Sequence, residues 1–123
     1  MVNSALLEST LNHIRDFPEL HDQAWFFTQT EAGLCACYAG RACLLAGLQP
    51  VMEDSYWGRL TSARVWMADG TQSARLTARD LLGLDTERAN NLFMPYNTYQ
   101  LLELKVKDIL NGDPEVRSYL DHL

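Results

Sequence analysis

Apolar positions near the start of the chain recur at helical spacing. Leu7, Leu11 and Ile14 fall at i, i+4 and i+7, Leu6 widens the stripe, and Glu8, Asn12 and Arg15 take the wet side. This predicts a helix over residues 4–17, capped by Asn3 or Ser4. Pro18 stops it, because the residue before a proline is pushed out of the α region. Residues 21–30 follow no single period: Trp25-Phe26-Phe27 and then Thr28-Gln29-Thr30 fit a short strand or a loop that lids the core. Residues 34–47 are mostly Ala, Cys, Leu and Gly, with polar groups only at Tyr38 and Arg41, and Gly33, Gly47 and Pro50 punctuate them. We read a central helix, apolar on nearly every side and therefore covered on nearly every side. Ala36 with Gly40, or Ala39 with Cys43, place small residues one turn apart and invite close approach of a neighbouring helix. Arg41 is then the one side chain that reaches water or meets a carboxylate.

Residues 51–60 look irregular, with a turn at Trp57-Gly58. Asp69-Gly70 lies between residues 63–67 and 71–76 and predicts a hairpin with a type I′ turn, whose two central positions need positive φ. Helical signals then return. Thr77 with Asp80 opens a short helix that Gly83 ends. Asp85 caps residues 86–93, Pro95 breaks that helix, and Asn97 starts another with Gln100 at its third position and Gly112 beyond its end. Asp113-Pro114-Glu115 opens a closing helix with Val116, Tyr119 and Leu120 on its apolar side. The expected fold is mainly α (α+β): one small single-core helical domain over residues 1–123, with a central buried helix and one β-hairpin.

Composition changes this picture little. A chain of 123 residues, 47% hydrophobic and 21% charged, is ordinary for one globular domain. Charge is more telling. A net −6 argues against nucleic acid, which needs a basic face. Residues 1–54 hold Glu8, Asp16, Glu19, Asp22, Glu31, Glu53 and Asp54 against Arg15 and Arg41, whereas residues 55–84 hold Arg59, Arg64, Arg75 and Arg79 against Asp69 and Asp80. An acidic front and a basic middle read first as a solvated mixed surface. The apolar run at 34–47 is too short to cross a bilayer, so no membrane role is expected. The start lacks the basic and apolar regions of a secretion signal, and three cysteines make no disulfide framework, which together point to the cytoplasm.

Candidate chemistry is sparse. Cys35-x-Cys37 with Cys43 invites a metal, but residues two apart on a helix diverge, so the thiols read as buried small hydrophobes and neither metal nor cofactor is expected. His21 and Asp22 near Cys37 offer an alternative catalytic or metal-dependent site, against which burial should raise the thiol pKa and hide it. Residues 86–93 and 98–110 superficially suggest a helix-turn-helix, but the face that would read bases offers Gln100 and Glu103, with Lys105 and Lys107 a turn later. Aromatic side chains are the remaining lead. Trp25, Phe27, Trp57, Tyr96 and Tyr99 are the candidate partner-binding residues, since Trp and Tyr anchor interfaces.

Several features recur together in one group of proteins. They are His21-Asp22-Gln23 followed by Trp25, Ala36-Cys37-Tyr38-Ala39-Gly40, residues 78–84 (Ala-Arg-Asp-Leu-Leu-Gly-Leu), and Leu92-Phe93 followed by Asn97-Thr98. In this order the chain resembles small uncharacterised proteins of actinobacteria and their bacteriophages. Such proteins often carry a further cysteine where this chain has Ala32, so a paired-cysteine function is not implied here. The resemblance implies an actinobacterial or phage origin and, for a small phage protein, action by binding a host protein. The expectation is thus a non-enzymatic protein that binds a protein partner or self-associates in the cytoplasm. The alternative is a small enzyme or metal-dependent module built on His21, Asp22 and Cys37.

Overall fold

Asn3 ties the beginning of the fold to its middle. Its Oδ1 accepts from the Leu6 amide (3.1 Å) and so caps α1 (Ser4–Asp16). Its own main-chain and side-chain amides donate to the carbonyls of Leu82 (2.9 Å) and Leu81 (3.1 Å), at the end of α3 (Ala74–Leu82). The computed structural model describes residues 2–54 and 59–112; the turn at Trp57-Gly58 and the helix expected from Asp113 lie outside the described residues.

The architecture is α+β, which corrects the expected helical domain with one hairpin. Among the described residues, five α-helices accompany six strands in two antiparallel sheets. The larger sheet, in the order β2-β1-β4-β3, comprises β1 (Phe27–Thr30), β2 (Gly33–Ala36), β3 (Glu53–Asp54) and β4 (Leu60–Ser62). Phe27 stands opposite Ala36 on one side and Ser62 on the other. The smaller sheet is the expected hairpin, β5 (Arg64–Met67) and β6 (Gly70–Ser73), extended by a bridge from Pro50 to Val65.

Residues 34–47 are the largest correction. They divide into β2, a pivot at Cys37, and a helix α2 of only eight residues (Tyr38–Leu45). A short apolar run carries no period of its own, and here its first part is a strand and its second a helix. Cys37 turns one into the other: its backbone is extended, and its sulfur accepts from the Gly40 amide at 3.5 Å in the place a cap side chain occupies.

The hairpin also differs in detail. Gly70 pairs with Met67 and alone has positive φ (142°), so the turn residues are Ala68 and Asp69, and Asp69 stays at negative φ. β6 ends at Ser73, whose hydroxyl caps α3, so that helix begins three residues before Thr77. Gly83 ends it in the left-handed conformation (φ 71°). Asp85 caps α4 (Thr86–Leu92) as expected, while α5 (Tyr99–Leu110) takes Thr98 rather than Asn97 as its cap.

The helices enclose a core that includes Leu7, Phe27, Tyr38, Val65, Leu82, Leu92 and Leu102, all fully buried. Tyr38 lies at its centre and donates its hydroxyl to the Leu7 carbonyl at 2.7 Å, joining α1 to α2. Asn97, displaced from capping, is buried instead. Its Nδ2 donates to the carbonyls of Asn91 (3.1 Å) and Leu92 (2.8 Å), closing the end of α4. Lys105, expected on a wet helix face, is 3% exposed and donates from Nζ to Asn97 Oδ1 (2.6 Å) and the Asn91 carbonyl (3.0 Å). A cation at the negative end of α4 complements the helix dipole.

Candidate functional site

Residues 21–25 form a strap laid across the junction of β2 and α2. The Asp22 amide donates to the Ala36 carbonyl (3.0 Å), and the Cys37 amide donates to the Trp25 carbonyl (2.8 Å). Asp22 Oδ1 accepts from the Ala24 amide (3.1 Å), which tightens the bend between them. Gln23 does two jobs with one amide group. Its Oε1 accepts from Tyr38 N, in the first turn of α2 (3.2 Å), and its Nε2 donates to the Met94 carbonyl beyond α4 (3.0 Å). The strap is thereby locked to α2 and to the α4–α5 corner together.

The strap brings His21, Asp22 and Cys37 to one junction, but not into a catalytic arrangement. Burial pushes the Cys37 thiol up to about 11 despite the backbone amides of Gly40, Ala39 and Cys37 itself, so at neutral pH it is a hidden, protonated thiol. The His21 ring nitrogens are buried, and neither has a hydrogen-bond partner among the described residues. The sulfurs also diverge. Cys35 meets the Glu19 carbonyl and the Thr30 hydroxyl (3.4 Å each), Cys37 meets Gly40, and Cys43 meets the Ala74 carbonyl (3.7 Å). Cys35 does precede α2, the one geometry that could bring the two thiols together, but it points elsewhere. Among the described residues no three His, Cys, Asp or Glu side chains are grouped to hold a metal, and no helix is long and apolar enough to cross a membrane.

Outside the strap lies an open cleft of about 460 Å³. Ala24, Trp25 and Phe26 form one wall, and Glu53, Asp54, Thr61, Ser62 and Arg64 line the other side. Glu53 and Asp54 are exposed and make no ion pair among the described residues, whereas the Arg64 guanidinium is held against Thr71 by bonds of 2.9 Å to its hydroxyl and carbonyl. The surface continues beyond both rims. Trp66, two residues along β5 from Arg64 and so on the same face, is 55% exposed. On the other side, past Gln23 and Met94, Tyr96 is 62% exposed and its hydroxyl meets the Met94 sulfur (2.8 Å).

The aromatic candidates therefore part company. Trp25 lines the cleft, and Tyr96 is exposed at the corner that Gln23 ties to the strap through Met94. Phe27 is fully buried between Ala36 and Ser62, because its position in β1 faces the core; it cannot anchor a partner. Tyr99 is half-buried against the core and bonds Glu103 within α5 (3.5 Å). Trp57 lies outside the described residues. Trp66, one of the aromatic leads in the sequence though not among the five candidate anchors, is turned outward by the alternation of the hairpin, with Val65 inward. Arg75 bonds Asn90 (2.8 Å), and Arg79 bonds Asp80 and Thr86 (3.1 Å each).

No family model matches the chain, and neither does any curated protein or solved structure.

Proposed function

We propose that the protein is a non-enzymatic binding protein that docks a host protein through the surface running from Tyr96 across the Trp25 cleft to Trp66. The observation that carries this reading is the Gln23 clamp, which fixes the strap wall of the cleft to the corner that exposes Tyr96. Tyr, Trp and Arg at the centre and rims are the residue types that dominate interface energies. Glu53 and Asp54 give the cleft a negative edge, so a partner with a basic patch around an apolar centre fits it. The resemblance to actinobacterial and phage proteins makes a phage-encoded modulator of a cytoplasmic host protein the form to test first. The buried thiol and shut-off imidazole at the strap favour binding over the alternative chemistry of His21, Asp22 and Cys37.

The test is capture from an actinobacterial lysate with identification by mass spectrometry, followed by calorimetry on the purified pair. Trp66→Ala and Tyr96→Ala should each weaken binding about tenfold or more, and added salt should weaken it further. Leu45→Ala, at the other end of α2, should leave it unchanged. A partner held equally by all three variants, or none held above background, sinks the reading.

A further inference from the structure

His21 sits at the base of the strap and bridges to Ala36, just ahead of the residues that wall the cleft. Both of its ring nitrogens are shut off from water, and neither has a hydrogen-bond partner among the described residues. A neutral ring tolerates this at modest cost, while a charged one does not. Its charged neighbours pull in opposite senses. Asp22, next along the strap, favours a proton on the ring, and Arg41 from α2 opposes it. Arg41 is 7% exposed and spends Nη2 on the carbonyls of Leu20 (3.0 Å) and Leu34 (3.3 Å), and no carboxylate pairs with it among the described residues. From β2 and the α2 cap come only the Cys35 and Cys37 thiols. The 3-10 turn at Pro18–Leu20 offers Glu19, and α1 offers His13, whose own proton Arg41 also disfavours. Asp22 outweighs Arg41, so what resists a proton on His21 is the burial of its ring.

We propose that His21 is an acid-operated latch: protonation releases the strap from Ala36 and Cys37 and dismantles the wall of the cleft formed by Ala24 and Trp25. Burial holds the His21 pKa below its ordinary value of 6.5; Asp22 and the Ala36 backbone, which lies near the ring without a hydrogen bond of good geometry to it, offset part of the effect, and Arg41 adds to it least. The sign follows from linkage. An opened strap exposes the ring and takes a proton near pH 6.5, whereas the closed strap resists until a lower pH. Closure is therefore complete above about pH 6.5, and is lost by up to tenfold per pH unit as pH falls toward the closed-state value. The consequence for recognition rests on the docking reading; the latch itself is measured on the isolated protein.

Hydrogen exchange across pH 5 to 7.5, expressed as protection factors, reads it directly. The amides of Asp22, Cys37 and Tyr38 all bond to or across the strap, and they should begin to lose protection as pH falls below about 6.5, with a slope of at most about tenfold per pH unit. Amides inside α3 should hold theirs. His21→Gln and His21→Phe should flatten the pH dependence at the three strap amides. Constant protection in the native protein overturns the latch, and so does a fall shared equally by every amide. If a variant fails to fold, the native protein alone still decides.

Discussion

Replacing Gly40 with alanine tests how closely the strap is seated. Gly40 lies in the first turn of α2 and is not among the glycines at positive φ, so its backbone would accept any residue. Helix propensity alone would favour the substitution by about 1 kcal/mol. The structure reverses that sign. A Cβ at Gly40 falls 2.0 Å from the Phe26 carbonyl oxygen and 3.0 Å from the Ala36 Cβ, where real contacts stay above 3.0 Å. The obstacle is main chain rather than the end of a flexible side chain, so Phe26 must retreat by at least 1 Å, the difference between those distances. Overpacking of this kind costs about 1–3 kcal/mol. Retreat also pulls the Trp25 carbonyl from the Cys37 amide, and an unpaired buried amide costs about 1–3 kcal/mol more. Net of the propensity gain, Gly40→Ala should destabilise the protein by about 3 kcal/mol, within a span of about 1 to 5. Equilibrium urea unfolding measures this as a lower midpoint at unchanged slope. A variant as stable as the parent would refute the seating of the strap on α2.

Three further expectations come from single contacts. Tyr38→Phe removes the 2.7 Å bond to the Leu7 carbonyl and should cost about 1 kcal/mol in the same assay; no loss would mean that the bond contributes nothing. With burial pushing the Cys37 thiol up to about 11 and Cys43 to about 12, no thiol should react promptly with an aromatic disulfide in the native protein. All three should react in denaturant, and one fast native thiol would contradict their burial. Burial also lowers Lys105 to about 8 from its ordinary 10.5, so between these values the unfolded chain holds the extra proton and stability rises with pH, by about 3 kcal/mol in total. Lys105→Met should remove that rise, and identical pH profiles for the two proteins would contradict it.

The helical parts of the fold were readable because their signals are local. Leu7, Leu11 and Ile14 repeat at helical spacing over enough residues to define a face, and Asp85 and Gly83 mark ends by their own chemistry. Strands β1 and β2 span only four residues each, and nothing within them says which segments they will pair with. β3 and β4 are shorter still, and β1 meets β4 across some thirty residues of chain. The cap of α5 is ambiguous in sequence because Asn and Thr are both good caps; the carbonyls at the end of α4 together with the buried Lys105 hold Asn97 inward and leave Thr98 to cap. The cleft was partly legible through Trp25, and the exposed rings near it through Tyr96. The Gln23 clamp was not, because a glutamine bridging two distant backbone groups leaves no spacing to read.

One feature of the path between α2 and α3 bears on how this chain can change. Residues 49–51 run beside β5, with Val51 N donating to the Arg64 carbonyl (2.9 Å) and Trp66 N donating to the Gln49 carbonyl (2.9 Å). Between these two attachments, β4 joins the larger sheet beside β1, and β3 forms that sheet's edge, pairing with β4. Side chains on an exposed edge strand can change without breaking the pairing of the strands inside it, so Glu53 and Asp54 are open to substitution while the β1–β4 register stays in place. Glu53 and Asp54 form the acidic edge of the cleft, while the fully buried core residues Leu7, Phe27, Tyr38, Val65 and Leu82 lie elsewhere in the chain. The charge of the cleft's edge and the packing of the core are thus carried on separate residues, and substitution could rewrite the first without disturbing the second.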